Sequence, residues 1–121
     1  MASGTIPNSV TESSYTPSVS KTSGASSYDS GAASSYGKVV NLSLTFSVGN
    51  TAVAAGSNTF VGTVSGVPLP FDHAVGVGYY SSTCLMANLE SNGSLTVRVL
   101  AAQKPAASVG SFEITFLYLS I

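Results

Sequence analysis

The side chains most often recruited for acid–base and metal chemistry number seven in this chain: His73, Cys84 and the carboxylates Glu12, Asp29, Asp72, Glu90 and Glu113. A hydrolytic triad needs a nucleophile, a base and a group that orients the base. Asp72 adjoins His73 and serines are plentiful, so the inventory permits a triad. Adjacent residues on a strand point to opposite faces, however, which places Asp72 poorly for orienting His73. No GxSxG nucleophile elbow is present. The expectation is no enzyme and no catalytic residue, with Asp72 and His73 as ligand-contacting or interface residues. The carboxylates are dispersed, without the close pair that glycoside hydrolysis needs. One His, one Cys and no acidic loop leave no ligand set for a metal, and no cofactor is expected. A symmetric trimer could still gather three copies of His73 or Asp72 around its axis. Gly76-Val77-Gly78 lacks the Lys and the following helix of a phosphate loop. Cys84 lies between Thr83 and Leu85, with no activating charge, and reads as a packed thiol.

Binding is a better use of these residue types. Tyr79 and Tyr80 adjoin Ser81, Ser82 and Thr83. Tyrosine beside small hydroxyl residues makes adaptable recognition surfaces, including for sugars. The plainer alternative is one core tyrosine and one surface tyrosine on a strand. The four basic residues, Lys21, Lys38, Arg98 and Lys104, are scattered, which argues against nucleic acid as a partner. No apolar run approaches the roughly 20 residues of a membrane helix. The first residues, MASGTIPNS, lack the basic and apolar regions of a signal peptide.

The elements that hold these residues are strands. In VVNLSLTFSV, Val40, Leu42, Leu44, Phe46 and Val48 alternate with Asn41, Ser43, Thr45 and Ser47, the period of a half-buried antiparallel strand. Gly49-Asn50 ends it. SNTFVGTV, AVGVGYYSS, TCLMANLE and SLTVRVL read as further strands, with a loop at Gly66, Pro68 and Pro70. Asn92-Gly93 predicts a two-residue hairpin turn. The closing SFEITFLYLSI puts Phe112, Ile114, Phe116 and Tyr118 on one face. Its other face changes from Glu113 and Thr115 to Leu117, Leu119 and Ile121. A strand apolar on both faces is either central and buried twice, or meets a neighbouring subunit through the second face. Residues 1–10 read as a tail or anchor. Residues 11–121 read as one domain, its Ser/Thr/Tyr-rich stretch 11–38 forming an irregular edge in which Tyr15 and Val19 could share a short strand. No segment shows a helical period with caps. The chain of 121 residues suits a single all-β domain, an antiparallel sandwich or barrel.

Charged residues make up only 7% of the chain, with a net charge of −1, against about 25% in typical globular proteins. Such a chain either uses Ser, Thr and Asn as its polar surface or hides surface against partners.

The run YGKVVNLSLTFSV, followed by SNTFVGTVSGVPLP, AVGVGYY, NGSLTVRV and the closing FEITFLYL, resembles the C-terminal head domains of bacteriophage tail-fibre and baseplate receptor-binding proteins. The resemblance spans roughly residues 11–121. It implies a jelly-roll-like β-sandwich assembling as a homotrimer on the virion surface, on tail, baseplate or capsid exterior. The partners it implies are other virion proteins and a host cell-surface glycan or protein. It carries over no catalytic residue. Fibre proteins place a long anchor and shaft before this domain, and little precedes Thr11 here. The chain is then either an excised domain or a small protein attached directly, such as a capsid decoration or head-fibre protein pegged by residues 1–10.

Overall fold

The computed structural model describes residues 11–48, 53–80, 83–100 and 110–121. The anchor expected at 1–10, the turn at Gly49-Asn50 and the loop at 101–109 lie outside the described residues. Nine strands follow in chain order: β1 (Glu12–Tyr15), β2 (Ser18–Ser23), β3 (Ser27–Tyr36), β4 (Val39–Val48), β5 (Asn58–Ser65), β6 (His73–Tyr80), β7 (Thr83–Glu90), β8 (Ser94–Val99) and β9 (Gly110–Leu119). They form one antiparallel sheet in the order β1-β3-β4-β9-β6-β7-β8-β5-β2. No helix occurs among the described residues.

The sheet curls strongly into a half-barrel, and the chain itself shows why. Its two outermost strands, β1 and β2, are consecutive and joined only by Thr16 and Pro17. A sheet whose opposite edges are two residues apart in sequence must bend until those edges nearly meet. The connection from β2 to β3 crosses the same gap and is fastened to β5. The Ser26 amide donates to the Thr59 carbonyl at 2.9 Å, and the two buried hydroxyls bond at 2.6 Å. Tyr28 adds a hydroxyl bond to the Pro17 carbonyl.

The curl encloses the core. Val40, Leu42, Leu44 and Phe46 of β4 are fully buried, as are Ile114 and Phe116 of β9. They pack with Phe60, Leu85, Leu89, Leu95 and Val97 from the other end of the sheet. Phe46 lies at the centre, ring against ring with Tyr28, Phe60 and Phe112 at 4.9–5.8 Å between centroids. Burying each such side chain stabilises the fold by about 1.5–3 kcal/mol.

Two details differ from the sequence expectation. Residues 11–38 do supply the edges of the sheet, as β1 and β2, but they form three strands in place of irregular structure, and Tyr15 and Val19 fall on separate strands. β3 pairs with β4 over nearly its whole length, with a bulge between Tyr28 and Ser30. Its small residues have little strand preference of their own, and pairing with the strongly patterned β4 imposes the conformation. The β7–β8 connection is a three-residue loop, Ser91 to Gly93, not a two-residue turn. Gly93, at φ 93°, takes the left-handed position and donates its amide to the Glu90 carbonyl at 2.9 Å. This is the bulged form that three-residue hairpins favour.

Candidate functional site

His73 opens β6 and Asp72 immediately precedes it. Because Asp72 lies in the bend before the strand, the alternation that would separate the two does not apply. Its Oδ2 comes within 3.4 Å of His73 Nδ1, and both side chains are exposed. No hydroxyl bonds to His73 among the described residues. The described residues also contain no group of three or more His, Cys, Asp or Glu able to share a metal ion.

Farther along β6, Tyr79 points outward and Tyr80 lies partly buried against the core. The alternation on this strand is inverted in size. Ala74, Gly76 and Gly78 face inward, while Val75, Val77 and Tyr79 face out. Gly76 is small because a Cβ there would lie 2.7 Å from the Phe116 ring. Gly78 is small because a Cβ would strike the Glu113 carbonyl of β9. The glycines therefore serve close packing of β6 on β9. Cys84, expected to be packed, is exposed. It sits directly across from Tyr79, on the outward parity of β7, while Leu85, Ala87 and Leu89 take the inward one.

Leu117, Leu119 and Ile121 are 70%, 63% and 71% exposed. β9 is interior to the sheet, yet these residues of its second face are not covered by the described residues. Beside it on β4, Val39 pairs with Leu119 and Asn41 with Leu117. On the other side Val77 pairs with Thr115, and Val75 lies two residues further along that junction. The Phe71 amide donates to the Leu119 carbonyl at 2.9 Å, bringing another exposed aromatic to the same end. An apolar strip thus crosses the convex face from Tyr36 and Val39 through β9 to β6. Sequence reading found its β9 portion and missed Val39, Phe71, Val75 and Val77. AVGVGYY puts its larger residues on the parity of His73, but alternation with glycine does not say which parity faces in.

The remainder of the convex face is different. Over β1, β3 and β4 it carries Ser14, Ser30, Ala32, Ser34, Asn41, Ser43 and Thr45. Two shallow depressions there, of about 360 and 240 Å³, share Ala32 and Ser43. Asp29, at the bulge, accepts a hydrogen bond from Ser47. These hydroxyl-rich positions are the polar surface that the charge-poor composition requires.

The chain matches no protein-family model and no curated protein.

Proposed function

We propose that this chain is a non-enzymatic surface module of a bacteriophage virion, of the tail-fibre or receptor-binding type, which assembles as a homotrimer and mediates host attachment. The observation that carries this reading is the exposed apolar strip on a domain with 7% charged residues. Soluble monomers rarely leave a continuous apolar area of this kind uncovered, and members of assemblies use one as a contact. The resemblance to fibre head domains supports the same reading and supplies the virion setting. The half-barrel, with its edges joined through Thr16 and Pro17, is read as a jelly-roll-like sandwich. Other virion proteins are its structural partners. A host glycan or surface protein is its ligand, met around Asp72, His73 and the exposed tyrosine at 79.

Gold-labelled antibody against the chain, imaged on intact particles, tests this. Label at the tail tip or baseplate is the expected result. Label over the capsid transfers the function to decoration, with residues 1–10 as the attachment to delete. No label on any particle overturns the virion reading.

A further inference from the structure

We infer that the convex apolar strip is where copies of this chain meet, with the β4 flank of one copy set against the β7 flank of the next. This deepens the homotrimer reading above and rests on it. Val39, Leu117, Leu119, Val75 and Val77 form the strip's centre, and none of them is charged. These side chains are 44–70% exposed, and a contiguous apolar area of this kind marks a contact surface. Depletion of charge at the centre, with aromatics present and polar groups at the rim, is the usual anatomy of such a contact.

The rim indicates what covers it. Lys38 occupies the turn into β4, and Glu90 ends β7. The intervening strands are antiparallel, so both residues lie at the same end of the sheet, on opposite flanks of the strip. Both are exposed, and neither has an ion-pair partner among the described residues. When copies turn this face toward a common axis, a closed ring sets the β4 flank of each against the β7 flank of its neighbour. Lys38 then meets Glu90 of the next copy, and every copy satisfies both charges. A second copy is therefore the complementary occupant in both hydrophobicity and charge.

The test is the mass of the assembled full chain in solution, by light scattering, with circular dichroism as the check on folding. The wild type is expected as a trimer. Val77→Glu combined with Leu117→Glu is expected as a folded monomer. Lys38→Glu and Glu90→Lys should each weaken assembly by about tenfold, and the two together should restore it, as close charge pairs across an interface do. Persistence of the trimer in the double Glu variant overturns this face as the contact and leaves the homotrimer standing. Failure of the charge swap to restore assembly overturns the flank-to-flank arrangement. A monomeric wild type overturns the homotrimer and this inference together, while particle labelling remains an independent test of the virion reading.

Discussion

β9 presents two rows of side chains whose apolar members differ in fate more than in chemistry. Phe112, Ile114, Phe116 and Tyr118 point into the curl and are buried, whereas Leu117 and Leu119 point out and are not. On β4, by contrast, the outward row beyond Val39 reads Asn41, Ser43, Thr45 and Ser47, so water completes that surface without a partner. The hydroxyl half of the convex face therefore needs nothing further. The apolar half has the composition of an interior without the neighbours of one. Burial in this fold is decided by which way the sheet curls. Hydropathy alone marks positions that want cover, and does not say whether the chain or another molecule supplies it.

The sharpest way to break that contrast is to truncate a side chain on the inner row. Phe46→Ala should cost about 3–5 kcal/mol, because it removes a fully buried ring and leaves a cavity among Tyr28, Phe60 and Phe112. Denaturant unfolding measures it, and the loss should be the same at low and high protein concentration. A cost below about 1 kcal/mol would mean that the concave face is not the core.

The inner row was legible in the sequence because strict alternation in VVNLSLTFSV and SFEITFLYLSI fixes both strand and face. β3 was not, since SYDSGAASSY carries no apolar period and gains its order from the β4 ladder. The pairing of β1 and β2 with distant strands was equally hidden. It depends on the sheet order, which no local pattern encodes. At the candidate site, Leu117, Leu119 and Ile121 stood out as an anomaly on a strand already recognised. Val75 and Val77 did not, because alternation with glycine hides which parity faces in. Asp72 and His73 came closer together than strand geometry allowed, because the strand begins one residue later than that argument assumed.

An intermediate effect is expected where β6 meets β9. Gly78→Ala places a methyl against the Glu113 carbonyl and the Ile114 side chain, and overpacking of this kind costs about 1–3 kcal/mol. The junction has only two directly paired residues on each strand, so little backbone bonding resists the displacement. A melting temperature equal to that of the wild type would show that β6 approaches β9 less closely than the glycine implies. It would also weaken the assignment of Val75 to the same strip as Leu117.

Tyr118 separates the two faces by pH. Its hydroxyl donates to the Pro68 carbonyl at 2.6 Å, and burial pushes its pKa up from 10.0 to about 12. The unfolded chain ionises first as pH rises. The stabilisation from neutral Tyr118 is thus intact below pH 10 and is lost as pH climbs from 10 to about 12. Tyr118→Phe should cost about 1 kcal/mol at neutral pH through the lost hydrogen bond, and should flatten the alkaline decline. Stability measured against pH for both proteins checks it. An unchanged alkaline limb would mean that another group governs it.

The smallest expected effect is on the outer row. Leu119→Ser should change the folding stability of the dissociated chain by no more than about 0.5 kcal/mol, because the side chain is exposed and leaves no cavity when removed. In the assembled protein the same substitution should lower the apparent melting temperature, and the deficit should grow as concentration rises. Binding to the native state stabilises by mass action, so a weakened contact withholds more stability where assembly would otherwise be complete. Phe46→Ala and Leu119→Ser thus separate by concentration dependence as well as by size. Unfolding of each at two concentrations a hundredfold apart distinguishes them. If Leu119→Ser behaves as Phe46→Ala does, with a large loss that ignores concentration, Leu119 is covered by its own chain and the convex strip belongs to the core.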